Sequence, residues 1–394
     1  MAQGSDVRDV EITDVRTTRV ESEFFWTYVR IYTDEGMTGT GEAVLGPKAD
    51  EYVDFVRELL VGKNPLDIDA RCTELFDRLS YLGGMSGIGV TAISAIDIAL
   101  HDLAGKLLDV PAYQLLGGKH REDVRVYCDC HAGEHLHAGG GEDAYRPEAY
   151  ADAAEGVLAD GFDAIKFDLD GLERGDEDRR TKRLSARAVD YRREIVEAVT
   201  DRVGDRADVA FDCHWSWNGD TVRRLASALE PYPVWWLEDT VPPENHDVQM
   251  EVTRASETTI AAGENVYRVE GARRLIENQG LDVLHPDVPK TGGMLETKKM
   301  ADMAKAYYIP VALHNVASPL GTMASAHVGA ATSNFMAVEY HARDLPWWDD
   351  VIEGGPIIED GQIAVPDEPG LGVELDEDAV ADRLAPGETV FEEP

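Results

Sequence analysis

The feature that most constrains the fold is a phrase that repeats from about residue 124 onward. Each copy has a short run rich in Val, Ile and Ala, a polar stop, and a longer stretch with helical periodicity. This alternation is typical of parallel strands linked by helices. It predicts eight strands, at 124–130, 164–169, 208–213, 234–239, 259–264, 281–287, 309–315 and 335–340. Eight such units have the size of a TIM-type (β/α)8 barrel, an α/β fold.

The sequence on either side of this repeat has a different pattern. Before it, VEITDVRTTRVESEFFWTYVRIYTDEGMTGTGEAV predicts antiparallel strands with a turn at TDEGMTG, and helical patterns follow. After it, the chain is rich in Gly and Pro. We therefore expect an α+β capping domain at residues 1–123, the barrel at 124–344, and a segment at 345–394 that returns to the cap.

The chain is strongly acidic, with 76 Asp and Glu against 37 basic residues and a net charge of −39. Acid-rich segments lie between well-patterned apolar stretches, and only 10 of the basic residues are Lys. This surface is typical of adaptation to high salt, where screening relieves self-repulsion, and it predicts a halophilic protein. Nucleic acid is not an expected partner, because the sequence has no basic patch for phosphate.

The N-terminus, MAQGSDVRDVEITDV, lacks the basic and apolar regions of a secretory signal, and no 18-residue apolar run suggests a membrane span. We expect a cytoplasmic protein with no membrane partner, and a homo-oligomer. The four cysteines contain no CxxC pair and are expected to be free thiols in structural positions.

Carboxylates end three successive predicted strands. They are evenly spaced along the chain, at Asp212, Glu238 and Glu264. Catalytic groups in such a barrel lie at the C-terminal strand ends, so these side chains should converge at the barrel mouth, where their repulsion requires a cation. Oxygen ligands suit a hard divalent ion, and we predict Mg²⁺. The alternative is that each acid simply caps the following helix, but three in register favour the metal site.

Acid–base groups are predicted around the same mouth. Lys166 closes the second strand, and strand alternation points His214 to the same side as Asp212. Asp287 ends the sixth strand and can orient His314 on the seventh, while Glu339 ends the eighth. A metal flanked by Lys and His bases suits removal of a proton next to a carboxylate. For Lys166 alone, a snorkelling barrel residue is the alternative.

Three further histidines, His131, His135 and His137, lie in a Gly-rich loop after the first strand. A flexible lid over the barrel mouth is the favoured interpretation and a second metal site the alternative. His285 and His341 share strand ends with Asp287 and Glu339, where they could support the residues that contact substrate.

Seven motifs together resemble the mandelate racemase branch of the enolase superfamily over nearly the whole chain. They are AIDIALHDLAGKLLDVPAYQLLGG, AIKFD, AFDCHW, WWLEDTVPPEN, IAAGENVY, HPDVPKTGGM and ALHNVASPLG. AFDCH with ALHN looks like the acid-sugar dehydratases of galactonate and gluconate type. Muconate cycloisomerases and dipeptide epimerases usually carry lysines where this chain has Asp168 and Asp287.

The resemblance implies a hydro-lyase that converts a small-molecule sugar acid (an aldonate) into a 2-keto-3-deoxy acid. It implies Asp212, Glu238 and Glu264 as Mg²⁺ ligands. The base at C2 would be His214, and His314, supported by Asp287, would protonate the departing 3-hydroxyl. Lys166 and Glu339 would bind the substrate, and the cap loops 20–26 and 81–90 would select it. A racemase or epimerase at the same metal is the alternative, and a non-catalytic binding protein is a weaker one.

Overall fold

The computed structural model describes residues 9–22, 24–130, 145–170, 177–178 and 180–391. Its main sheet is closed: eight parallel strands follow in the order β4, β5, β8, β9, β10, β11, β12 and β13, and β13 pairs back with β4. The strands are β4 (Asp123–Cys130), β5 (Ala164–Asp168), β8 (Asp208–Asp212), β9 (Val234–Glu238), β10 (Ile260–Ala262), β11 (Val283–Leu284), β12 (Val311–Leu313) and β13 (Phe335–Tyr340). The predicted barrel is confirmed.

Helices cover the outside of the barrel. They are α5 (Pro147–Ala159), α6 (Ala186–Val203), α7 (Gly219–Leu229), α8 (His246–Ala255), α9 (Arg268–Glu277), α10 (Val288–Thr291), α11 (Gly293–Ala306) and α12 (Pro319–Ala330). Two short strands, β6 (Glu177–Asp178) and β7 (Arg183–Leu184), pair before α6. Strands β10, β11 and β12 are shorter than expected by three or more residues. Next to two of them, Pro286 and Pro310 provide no N–H group for the ladder.

The barrel interior is layered. An apolar layer fills its lower part, formed by Tyr127, Ala164, Ala210, Trp236, Ala261, Val283, Ala312 and Ala337. Because side chains alternate along a strand, the residue two positions later on each strand again faces inward, one level nearer the mouth. This second level is polar on seven of the eight strands, and β10 alone contributes a glycine there. Its residues are Asp129, Lys166, Asp212, Glu238, Gly263, His285, His314 and Glu339. An apolar floor therefore supports a buried polar site.

The cap consists of a three-stranded antiparallel sheet and helices. Its elements are β1 (Ile12–Val20), β2 (Trp26–Thr33), β3 (Thr38–Ala43), α1 (Ala49–Val56), α2 (Ile68–Tyr81), α3 (Ile88–Leu108) and α4 (Ala112–Leu115). A Cβ atom at Gly39 or Gly41 would collide with the carbonyl oxygens of Ala99 and Ala95. These glycines therefore let α3 lie directly on β3.

By length and composition α3 could cross a membrane, so the expectation that no stretch of the chain could do so was too strict. The apolar window of α3 is 94% buried inside the protein, as in the core helix of a folded domain.

The last part of the chain contacts both units. Strand β14 (Gln362–Ala364) pairs antiparallel with β4 of the barrel, and helix α13 (Glu377–Ala381) follows. Leu384 then forms a bridge with Val20 of the cap, and the backbone N–H of Phe391 donates to Thr18. All four cysteines are free and buried, as predicted, and Cys128 and Cys130 face the same core outside the barrel.

Candidate active site

Two of the predicted metal ligands lie side by side at the barrel mouth. Asp212 and Glu238 end β8 and β9 and pair in register, and both side chains are fully buried. Glu264 lies two residues beyond the end of β10 and is also buried. Just before it, a Cβ atom at Gly263 would lie 2.8 Å from the backbone of His285. The glycine thus allows the chain to turn at the mouth while adjacent strands stay close.

Lys166 lies in the middle of β5, so the expectation that it closes the strand was wrong by two residues. Its ammonium group is buried inside the barrel, one level above Ala164. The Nζ atom lies 3.2 Å from Asp212 Oδ2, 2.9 Å from Glu238 Oε1 and 2.8 Å from Glu339 Oε1. Burial opposes this charge, but the surrounding carboxylates outweigh it and hold the pKa of Lys166 well above its usual value.

Glu264 contacts two cationic groups that follow strands β11 and β12 in the chain. Lys290 Nζ donates to its Oε1 at 2.9 Å, and His314 Nε2 lies 2.7 Å from its Oε2. The other ring nitrogen of His314, Nδ1, lies 2.6 Å from Asp287 Oδ2, and all four side chains are buried. The predicted placement of Asp287 beside His314 is therefore present in the structure. The carboxylates hold the pKa of His314 well above its usual value, against the opposing effect of burial.

His214 lies on the other side of the mouth and is partly exposed. Its Nε2 is 3.6 Å from Asp212 Oδ2, and its Nδ1 is 2.9 Å from Asp170 Oδ1. The backbone of His214 has φ of 37°, in the left-handed region that L residues rarely adopt. Burial disfavours the charged ring, but Asp212, Asp168 and Asp170 outweigh it and raise the pKa of His214 to about 12.

The eighth strand provides Glu339, which is buried beneath the mouth. Its Oε2 accepts hydrogen bonds from the Tyr127 hydroxyl at 3.1 Å and from the backbone N–H of Asn315 at 3.0 Å. Tyr127 also contacts His285 Nε2 at 2.7 Å, and burial lowers the pKa of His285 to about 3, which keeps the ring neutral. His285 thus supports the site from below.

The donor set fits a divalent cation. Buried carboxylates outnumber the buried lysines at the mouth, and they are Asp129, Asp212, Glu238, Asp239, Glu264, Asp287 and Glu339. Burial and the neighbouring negative charges raise the pKa of Glu238 and of Asp239 well above the usual value. Moreover, the buried Oδ2 of Asp239 has no hydrogen-bond donor among the residues that the structure describes. Oxygen ligands with excess negative charge are the environment that hard divalent ions prefer.

Two groups of acidic and histidine side chains within the described ranges have all their ligand atoms within 4.8 Å of one another. They are Asp129 with Glu339 and His341, and Asp168 with Asp170 and His214. The three predicted ligands do not form such a group. Lys166 bridges Asp212 and Glu238, whereas Glu264 turns towards Lys290 and His314.

Four residues of this site were missed by the sequence analysis: Asp129, Asp170, Asp239 and Lys290. Asp129 had a usable signal, because it follows the inward-facing Tyr127 by two residues on β4. Asp239 directly follows Glu238, with φ of 40°. The other two lie where the chain has left the strands, so strand alternation could not have found them.

Cap residues contact the barrel near the site. The ring of Phe24 packs edge-on against His341 with centroids 4.6 Å apart, and His341 Nδ1 lies 2.6 Å from Asp129 Oδ2. Met85 of the second predicted loop lines a cleft of about 300 Å³ together with Tyr267. The predicted lid lies outside the described residues, with its histidines His131, His135 and His137. The same is true of Glu23 in the first loop.

Comparison with known proteins gives matches over both parts of the chain. The family described as "Mandelate racemase / muconate lactonizing enzyme, N-terminal domain" matches residues 9–117, and "Enolase C-terminal domain-like" matches residues 149–379. A crystal structure of a mandelate racemase/muconate lactonizing enzyme-like protein from Rubrobacter xylanophilus superimposes with a TM-score of 0.92 at 38% identity. It covers 98% of this chain and 100% of that one.

Two named relatives match at full length. A D-xylonate dehydratase from Haloferax volcanii is 54% identical over 388 residues, which cover 98% of this chain and 92% of the relative. A D-galactonate dehydratase from Variovorax paradoxus is 32% identical over 381 residues, which cover 94% of each chain.

Proposed function

This chain belongs to the mandelate racemase/muconate lactonizing enzyme family of the enolase superfamily, and we propose that it is a hydro-lyase that dehydrates a sugar acid. In this reaction the C2–H bond breaks and a base takes the proton. The C3–O bond then breaks, the hydroxyl leaves as water after receiving a proton, and the resulting enol becomes a 2-keto-3-deoxy acid. The observation that carries the proposal is that His214 and His314 direct Nε2 atoms at neighbouring carboxylates, Asp212 and Glu264.

The divalent metal that the family uses is, we propose, Mg²⁺, with Asp212, Glu238 and Glu264 as its protein ligands. When bound, Mg²⁺ supplies positive charge that stabilises the negative charge growing on the substrate carboxylate as the C2 proton leaves. The excess of buried carboxylates described above supports this donor set. A binding titration of the purified chain with Mg²⁺, alongside Asp212→Asn, Glu238→Gln and Glu264→Gln, tests it. Each variant should bind at least about tenfold more weakly, and wild-type affinity in any two of them would refute the ligand set.

The two histidines are the proposed proton-transfer groups. His214 is the proposed base that removes the C2 proton. His314, whose Nδ1 lies 2.6 Å from Asp287 Oδ2, is the proposed acid that protonates the leaving 3-hydroxyl. The buried carboxylate fixes the ring orientation and stabilises its charged form. Lys166 and Glu339, 2.8 Å apart between Nζ and Oε1, are assigned to binding the substrate carboxylate and the intermediate.

The substrate class that we propose is an aldonate, with D-xylonate first among those to test. The support is the full-length similarity to the D-xylonate dehydratase from Haloferax volcanii. The same similarity and the charge of −39 support an enzyme adapted to salt. The proposal further includes a cytoplasmic location, a homo-oligomer, and no nucleic acid or membrane partner. It also includes a division into domains at residues 1–123, 124–344 and 345–394.

The decisive experiment is a screen of D-xylonate, D-gluconate, D-galactonate and L-arabinonate with Mg²⁺ in concentrated KCl. Semicarbazide detects a 2-keto acid product, and EDTA-treated enzyme is the control. Dehydration of at least one acid is expected. Loss of the C2 configuration without any keto acid would instead establish an epimerase. Mg²⁺ binding without either reaction across a broad library of sugar acids would refute the enzymatic assignment.

The roles of the histidines are distinguishable by isotope exchange. His314→Asn should stop dehydration but still let the C2 proton exchange with deuterated solvent, whereas His214→Asn should abolish both, each with a loss of about 10² to 10⁴ in dehydration rate. Asp287→Asn should resemble a milder His314 variant. If His214→Asn retains isotope exchange and His314→Asn loses it, the two roles are reversed. If both variants retain isotope exchange, Lys166 is the base. Single-turnover rates with C2-deuterated substrate detect a base whose proton is shielded from solvent.

A further inference from the structure

Asp170 lies just outside the barrel, on the loop that follows β5, and its carboxylate faces His214. Its Oδ1 is 2.9 Å from His214 Nδ1, and its Oδ2 accepts a hydrogen bond from the Ser216 hydroxyl at 3.3 Å. Asp168 is farther from the same nitrogen, at 3.9 Å. Asp170 is therefore the nearer of the two carboxylates to Nδ1 of His214.

The backbone at His214 has an unusual conformation that brings the ring next to Asp170. The residue adopts φ of 37° and the next, Trp215, adopts φ of 54°. The His214 N–H group donates to Asp212 Oδ1 at 2.8 Å, and the Trp215 N–H group donates to the carbonyl of Asp239 at 2.6 Å. Two successive left-handed residues are unfavourable unless the surroundings hold them, and such strain is concentrated at functional sites.

Packing alone does not hold the His214 ring, because 37% of its side chain is exposed. His314 differs in this respect: its ring is buried on all sides, with 6% exposed. A ring that borders solvent can rotate about its side-chain torsions or exchange tautomers unless a polar group restrains it. Asp170 is placed to provide that restraint.

The two histidines have the same hydrogen-bonding arrangement. In each, Nδ1 contacts an aspartate, at 2.9 Å for Asp170 and 2.6 Å for Asp287. In each, Nε2 points at a carboxylate of the proposed metal site, Asp212 or Glu264. The aspartates belong to different elements, since Asp170 follows β5 and Asp287 precedes α10. Each ring therefore lies between an aspartate on its Nδ1 side and a carboxylate of the proposed metal site on its Nε2 side.

We propose that Asp170 is a positioning residue that holds the proton of His214 on Nδ1 and so presents Nε2 to the substrate. Its effect on rate rests on the dehydratase function proposed above, whereas the hydrogen bond itself does not. Without the carboxylate, the partly exposed ring can rotate about its side-chain torsions, and Nε2 then no longer faces the substrate. Partners that orient a histidine in this way affect activity by about 10- to 100-fold, and by more where the pair is fully buried.

The kinetic test compares Asp170→Asn with Asp163→Asn. Both remove one carboxylate from the β5 region, but Asp163 lies at the opposite end of the strand, exposed and paired with Arg125. Asp170→Asn should lower kcat by about 10- to 100-fold, while KM and the calorimetric Mg²⁺ affinity change by less than about threefold. Asp163→Asn should match wild type. An unchanged kcat, or an equal loss of Mg²⁺ affinity, would overturn the inference.

A double variant separates action through His214 from a general structural effect. In the His214→Asn background, Asp170→Asn should cause almost no further loss of rate, because the residue that it positions is gone. If the two losses multiply, Asp170 acts in some other way and the proposal is wrong.

A second measurement does not depend on turnover. In the Mg²⁺-bound protein, the His214 Nδ1 proton should give a low-field NMR resonance, assigned by its loss in His214→Asn. The corresponding His314 resonance is an internal control. Asp170→Asn should shift or remove the first signal and leave the second. Retention of the His214 signal would refute the inference, even in an active dehydratase. If the signal depends on Asp170 but the enzyme dehydrates no sugar acid, only the proposed function fails.

Discussion

A buried aspartate on α3 should contribute more to stability than any surface ion pair of this acidic protein. Asp102 is 1% exposed. Its Oδ2 accepts from the Thr40 N–H group and from Lys106 Nζ, both at 2.9 Å, and its Oδ1 accepts from the Leu371 N–H group at 2.9 Å. One carboxylate therefore connects the core helix of the cap, the cap sheet and the C-terminal segment.

The perturbation is Asp102→Asn, which keeps the volume but offers a single acceptor oxygen. If that oxygen faces Leu371, the new amide group points its hydrogens at the Thr40 N–H group and the Lys106 ammonium group. Removing one member of a buried ion pair costs about 3 to 5 kcal/mol, since the remaining charge and donors are left unpaired. For 394 residues the unfolding entropy is about 0.8 kcal/mol/K, so the thermal midpoint should fall by about 4 to 6 °C.

The matched control is Asp302→Asn. Lys298 and Asp302 are also an (i, i+4) pair on a helix, but the aspartate is 57% exposed. An exposed pair of this kind contributes about 0.3 to 0.5 kcal/mol, so its loss should lower the midpoint by less than about 1 °C. The assay is thermal denaturation followed by circular dichroism, in concentrated KCl at one scan rate. Equal shifts in the two variants would refute the reasoning that burial sets the size of the effect.

Two other predictions concern salt and pH. The thermal midpoint should rise between about 0.1 M and molar KCl, because the charge of −39 repels itself across a Debye length of about 10 Å in the dilute buffer; equal midpoints would contradict the halophilic interpretation of the surface. Burial lowers the pKa of His327 to about 4, whereas the unfolded side chain titrates near 6.5. The unfolded state therefore binds the proton first, and stability should fall by up to about 3 kcal/mol as the pH drops from about 6.5 to about 4. Urea denaturation at several pH values should show a smaller loss in His327→Gln, and an identical loss would exclude His327 as the cause.

The barrel could be predicted because its strands and its site share one signal. Each strand is a short apolar run, and the polar residue that ends it marks the level of the mouth. The positions of Asp212, Glu238 and Glu264 follow from this pattern. His214 shows the limit of this pattern. Its Nε2 does lie 3.6 Å from Asp212 Oδ2, but β8 ends at Asp212, so a left-handed turn of the backbone and not strand alternation places it there, with Nδ1 beside Asp170.

Residues beyond the strand ends could not be predicted in this way. Lys290 lies in VPKT, which forms the single-turn helix α10 and brings the ammonium group back to Glu264. The roles of Asp97 and Asp102 were not predicted, because the composition of α3 is mostly apolar. Asp97 accepts from the Met294 N–H group at 2.5 Å, across the contact between cap and barrel. In each case a tertiary contact determines the role, and no local periodicity encodes it.

The acidic surface and the acidic site differ physically, although both consist of carboxylates. At molar salt the Debye length is about 3 Å, so exposed charges hardly interact beyond contact distance. The carboxylates around Lys166 are buried, and ions of the solvent cannot screen them there. High salt therefore relieves repulsion over the surface but leaves the site strongly negative. A sugar acid is itself an anion, so it can bind beside Asp212 and Glu238 only if cationic groups, with Lys166 and the proposed Mg²⁺ foremost, provide the opposing charge.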